Sequence, residues 1–164
     1  MQVPDVESRV RDALVALGAD FSEMECDPDL ADTAAFCAAY DVDPEDSANC
    51  ILMASRKPEG HLAICMVLAP DRLDGNGAVR RLMGVRKLSF APADLTAEVT
   101  GMEIGGVTPF GLPDDLEVLV DARVMERTRV VVGGGSRSRK FVVDPEVFGR
   151  MPLARVEEIT FPRE

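Results

Sequence analysis

Residues 101–113 read Gly-Met-Glu-Ile-Gly-Gly-Val-Thr-Pro-Phe-Gly-Leu-Pro, with four glycines and two prolines, more punctuation than a connection needs. Gly105 and Gly106, just ahead of Thr108 and Pro109, let a ligand approach the main chain and leave N–H groups free to hold a developing oxyanion. A tight turn with no ligand fits the same residues. A second cluster, Gly133-Gly134-Gly135-Ser136-Arg137-Ser138-Arg139-Lys140, follows a β-branched run and adds three cations. It suits a phosphate or a nucleic-acid terminus, and it also suits a solvated hairpin turn. Neither segment is a P-loop or a dinucleotide fingerprint. Metal chemistry finds little: His61 is the sole histidine, and Cys26, Cys37, Cys50 and Cys65 form no CxxC pair, so reduced thiols and no metal site are expected. A Ser-His-Asp arrangement would depend on His61 alone, against a plain turn or strand-edge role for that residue.

Both glycine segments must be held by regular elements. Val6, Val10, Leu14 and Leu17 recur at helical spacing from Pro4 to Leu17, and Gly18 follows as a stop. Phe21 to Cys26 alternates apolar and acidic residues as a strand does, and Asp27-Pro28 opens a helix expected to run to about Tyr40. Cys50–Ala54 and Leu62–Ala69 flank the turn Arg56-Lys57-Pro58-Glu59-Gly60 and predict a central antiparallel hairpin. Short helices are expected over Gly77–Met83 and Ala93–Thr100, with a strand at Lys87–Phe90 between them. Further strands follow at Val118–Val120, Arg129–Val132 and Phe141–Val143, then a helix start at Asp144-Pro145-Glu146 and a terminal strand over Val156–Phe161. Strands and helices do not alternate strictly. The fold class is therefore α/β of the α+β type, one domain over 1–164 with a mixed, largely antiparallel sheet and short helices around it.

The 164 residues carry 46% hydrophobic and 29% charged side chains, a globular composition. No apolar run approaches the roughly 20 residues of a membrane helix, and Met1 to Asp12 lacks the pattern of a signal peptide, so a cytoplasmic protein with no membrane partner is expected. Net charge is −11, and all of that excess lies in residues 1–50, while residues 51–164 are balanced. Broad binding to duplex DNA is thereby disfavoured, whereas a local nucleic-acid contact by the remainder stays open. Arg80, Arg81, Arg86 and Lys87 suit either an RNA acceptor stem or the solvated face of a short helix. Aromatic residues make up only 5%, with no tryptophan, which disfavours extended single-strand binding.

The order Thr100-Gly101-Met102-Glu103-Ile104-Gly105-Gly106-Val107-Thr108-Pro109-Phe110-Gly111, then Val118-Leu119-Val120-Asp121, then Val130-Val131-Val132-Gly133-Gly134-Gly135-Ser136-Arg137 resembles the YbaK/ProX family of aminoacyl-tRNA deacylases. That family includes the editing domain inserted in bacterial prolyl-tRNA synthetases, and the similarity runs from about Asp46 to Phe148. The resemblance implies a mixed-sheet, barrel-like fold and a trans-acting editing hydrolase that cleaves the ester of a mischarged tRNA without a cofactor. It implies the aminoacyl-tRNA 3′ end as partner, with an aminoacyl-tRNA synthetase as a further one. By the same likeness Gly105, Gly106, Thr108, Pro109 and Asp121 would serve catalysis, Asp121 having the alternative of capping the next turn. Asn49, Gly134, Gly135 and Arg137 would bind substrate, Arg137 through phosphate. One position departs from the pattern: Asn49 stands where the family usually has a lysine, so a charge able to attract phosphate is missing. Arg56, Lys57 or a cation of the second glycine cluster could compensate. Otherwise the chain would bind an aminoacyl or nucleotide ligand, or a synthetase, without turnover.

Overall fold

The run Leu62-Ala-Ile-Cys-Met-Val-Leu68 forms the inner part of strand β3 (Glu59–Leu68), which is buried on both faces from Ala63 onward. Continuous apolar sequence is what a strand covered on both sides requires. β3 pairs antiparallel with β2 (Ala48–Lys57), and on its other side parallel with β5 (Glu117–Asp121). β4 (Lys87–Phe90) and β8 (Ala154–Glu157) complete a five-stranded sheet in the order β4-β2-β3-β5-β8. A second sheet, antiparallel, has the order β1 (Phe21–Glu25), β7 (Arg139–Val143), β6 (Val130–Gly133). This is a computed structural model, described for residues 5–163.

The sheets form one mixed α/β domain around a shared core of Leu52, Ile64, Met66, Phe110, Val132 and Phe141 among others. Helix α1 (Val6–Ala16) adds Val10 and Leu14 to it, with Asp5 capping its first turn. A smaller core lies where Met53, Cys65 and Leu119 meet α3 (Arg80–Met83), and a third lies under α2 (Thr33–Tyr40). Helix α4 (Ala93–Thr100) leads into the first glycine segment.

The two sheets do not close into a barrel. They meet at one bridge, Ser47 with Val131, and β4 and β8 remain edges of the larger sheet. The helix expected from Pro28 to Tyr40 is divided into a 3-10 turn (Pro28–Leu30) and α2, because Asp27 caps the first piece and Asp32, in extended conformation, restarts the second. The Gly77–Met83 helix begins with a π-turn over Gly75–Val79. The terminal strand ends at Glu157, because the Asp121 carboxylate takes the Ile159 N–H and draws the chain off the sheet. The start of the first predicted helix at Pro4 lies outside the described residues.

Candidate active site

Where the two sheets meet, they leave a cavity of about 520 Å³, within the range of small-ligand sites. Its walls are α2 and its cap, the first half of β2, the end of β4, the main chain at Gly105, and β6 with Lys140 of β7. Asp32, Thr33, Ser47, Asn49, Thr96, Gly105 and Lys140 supply its polar groups, while Phe36, Phe90 and Ile104 supply apolar surface.

Lys140 is positioned by strand alternation. Phe141 and Val143 point into the shared core, so Lys140 and Val142 point the other way, onto the face that α2 covers. Lys140 is 7% exposed, and its ammonium donates to the carbonyl oxygens of Ala31 at 2.9 Å and Gly105 at 2.8 Å. It also lies 5.3 Å from the centre of the Phe36 ring. Burial pushes its pKa below the ordinary lysine value, and among the described residues no carboxylate comes within ion-pair distance. A buried cation held by two carbonyls has one N–H left to give.

Opposite it, the Thr33 hydroxyl donates to Asn49 Oδ1 at 2.7 Å, which fixes the amide and turns its NH₂ away from α2. Gly105 has φ +94°, a conformation that strains any other residue, and its N–H meets no acceptor among the described residues. The cavity therefore presents a cation, a free backbone donor and an amide. Cys50 also lines it, but burial pushes its thiol well above the usual range and that of the neighbouring Cys65 to about 12, so neither is a thiolate nucleophile at neutral pH.

Of the residues singled out in the sequence, the cavity lining brings together Asn49 and Gly105. Gly106 sits behind it: its carbonyl accepts from Gly135 N–H at 2.7 Å, and a side chain there would strike the Ser136 main chain. The two glycine segments thus pack backbone against backbone, a second reason for their composition besides ligand approach. Gly134 and Gly135 face the Arg139 main chain and α1 rather than the cavity. Arg137 spends its guanidinium on Pro28 O, Ile104 O and the Asp32 carboxylate, tying both loops together. Thr108 is fully buried with its hydroxyl unpartnered, and Pro109 lines a separate apolar groove beside α1. Asp121 accepts Arg123 N–H of the following turn at 3.4 Å and also ties the C-terminal segment, accepting Ile159 N–H at 2.9 Å and the Thr160 hydroxyl at 3.2 Å. His61 lies on β3 beside Glu117 and outside the lining. The residue that sequence reasoning passed over is Lys140, grouped there with the loop cations. Its signal was present: Val142, apolar and on the same side of the strand, marks that face as covered.

The molecule is thus a mixed α/β domain with an open cavity between its two sheets and one buried amine in the lining. Residues 27–150 match the aminoacyl-tRNA editing domain, and the chain belongs to that family. It is 32% identical over 102 residues to the uncharacterized protein YwhH of Bacillus subtilis (strain 168), a match covering 62% of this chain and 64% of YwhH. Two solved structures share the fold at 22% identity. One is a candidate trans-editing enzyme for prolyl tRNA synthetase, with TM-score 0.80 over 98% of this chain and 100% of the other. The second is the hypothetical protein APE2540, with TM-score 0.83 over 93% and 99%.

Proposed function

We propose that the protein is a trans-acting aminoacyl-tRNA deacylase that hydrolyses the ester joining a wrong amino acid to the terminal ribose, in the compartment where tRNA is charged. The observation that carries this reading is the Lys140 ammonium beside the unclaimed Gly105 N–H in one cavity. Water attacks the ester carbonyl, the carbonyl oxygen becomes an oxyanion, and those two donors hold it without any titratable base. As the bond to the ribose oxygen breaks, the proton shed by the water goes to that oxygen, giving a free amino acid and a free hydroxyl. Asp32, the carboxylate of the lining, is engaged by Arg137, so the group that orients the water is the substrate's own neighbouring hydroxyl. Asn49, fixed by Thr33, donates its amide to the ribose.

A second reading, ligand binding without turnover, is favoured by Asn49 itself, which brings a dipole where the family usually brings a charge. Purified protein incubated with a panel of correctly and incorrectly charged tRNAs separates the two. Hydrolysis of at least one mischarged species, persisting under chelation, is expected; saturable binding with every ester intact would leave the binding protein in its place.

A further inference from the structure

The cations of this chain fall into two populations. Residues 91–164 hold nine Lys and Arg, and eight of them sit in ion pairs, the ninth being Lys140. Residues 51–90 hold seven, and among the described residues none of the seven is ion-paired. Arg56, Lys57, Arg81, Arg86 and Lys87 are exposed, and four of these five cluster where β2 ends and β4 begins. Lys57 and Lys87 are direct cross-strand partners, and Arg86 N–H bonds to Lys57 O. Like charges placed opposite one another destabilise a sheet. Glu59 stands opposite Arg56 across the hairpin, but among the described residues no carboxylate comes within ion-pair distance of Lys57 or Lys87, and an anionic chain lying over that pair would offset their repulsion.

The same edge strand leads to the cavity. Phe90, at the other end of β4 and about 10 Å from Lys87 at the ordinary strand rise, lines the cavity mouth and is 60% exposed. In a chain with eight aromatic residues, five of the seven phenylalanines are buried or half-buried, and the other exposed one, Phe161, is covered by Arg72. Phe90 is thus an exposed ring at the edge of the cavity; three residues along β4 from Lys87, it lies on the other face of that edge strand, so a single strand meets both by crossing the sheet edge. Acidic groups of the first 50 residues, Asp32 among them, stand on the α2 side and repel a polyanion from that direction.

We infer that β4 is the track for the single-stranded 3′ end of an RNA, its terminal base stacked on Phe90 and its phosphodiesters carried by Lys87, Lys57 and Arg86. This deepens the deacylase reading and rests on it for the identity of the RNA. An acidic peptide would meet the same cations but would have no use for a flat ring at the cavity mouth.

The test measures binding of a short single-stranded RNA ending in adenosine as a function of salt, together with hydrolysis of an aminoacyl-adenosine ester and of charged tRNA. Lys57→Glu with Lys87→Glu should weaken RNA binding at least tenfold at low salt and reduce the slope of log affinity against log salt by about 1.4, two phosphate contacts for a single strand. The variant should hydrolyse aminoacyl-adenosine like the wild type, which also shows that it is folded. Phe90→Ala should weaken RNA binding roughly five- to 150-fold with the slope unchanged. An unchanged affinity and slope in the double variant, or a polyglutamate peptide binding as tightly as the RNA, overturns the track. If neither ester is hydrolysed while the RNA shifts appear as stated, the deacylase reading fails and the track stands.

Discussion

Two buried charges in this molecule are treated in opposite ways. Asp71 has no exposed side-chain surface and receives Arg123 at 2.7 Å and Arg163 at 2.6 Å, with Glu45 balancing Arg163 from the far side. Lys140 is almost as deeply buried and receives only two carbonyl oxygens. Burial raises the pKa of Asp71, but the two guanidinium groups outweigh it and bring the carboxyl below its usual range; for Lys140 burial is the largest influence, the Arg137 charge adds to it, and the direction is downward. A charge that serves stability is neutralised where it stands. A charge left short of a counter-ion beside a cavity waits for one in the ligand.

The sharpest way to break that contrast is Lys140→Met, which keeps the stem and removes the charge. Hydrolysis should fall by about 10²–10³, the cost of one oxyanion donor, while stability holds or rises because an imperfectly paired buried charge is gone. Urea melts and single-turnover hydrolysis give the two numbers; a large loss of stability would make Lys140 a structural residue. Its pH dependence carries the same information. The ammonium is the active form, so activity should decline as pH rises through the lowered pKa, earlier than for an ordinary lysine. Between that pKa and the ordinary value the unfolded chain binds more protons than the folded one, so stability should rise with pH over the same window.

The counterpart is Asp71→Asn. Removing the carboxylate leaves two guanidinium groups facing a neutral amide, at a cost of about 2 kcal/mol, reduced from the fully buried case because both arginines are about one-third exposed. Hydrolysis should not change. With its pKa below the unfolded value, Asp71 contributes stability above the unfolded carboxyl range and loses it as pH falls through the folded pKa; the variant should therefore show a flatter acid limb in its melts. An equal acid limb in both proteins would remove Asp71 from the stabilising set.

How much of this contrast the sequence announces differs between its halves. The strand Lys87–Phe90 and the helix Ala93–Thr100 follow from local periodicity and stop signals and fall where expected; the hairpin is also present, but its strands run through Lys57 and from Glu59, so the turn expected over 56–60 shrinks to Pro58. Cavity membership does not follow from local pattern. Gly105 and Asn49 are 56 residues apart, and only the packing of α2 and the first glycine loop across both sheets brings them to one cavity. Arg137 and Lys140 look alike as loop cations, yet Arg137 lies in the loop before β7 and ties three partners, while Lys140 is the second residue of that strand and points under α2. The pairing of Asp71 with Arg163 spans 92 residues and leaves no trace in spacing.

The smallest expected effect belongs to Asn49→Lys, and its sign depends on Lys140. In isolation the change supplies the cation that the family resemblance leads one to expect at this position. In this cavity an ammonium is already present, so a second one in the same low-dielectric space lowers the pKa of both and repels rather than recruits. The Thr33 hydroxyl also loses its acceptor. Hydrolysis should therefore fall about tenfold, a cost near 1.4 kcal/mol, in the otherwise unaltered protein. In the Lys140→Met background the like charge is gone and the same substitution should raise hydrolysis. A four-member cycle of wild type, both single variants and the double variant reads this reversal directly. If Asn49→Lys changes activity by the same factor in both backgrounds, the two positions do not share a charge function, and Lys140 is not the cation that stands in for the missing lysine.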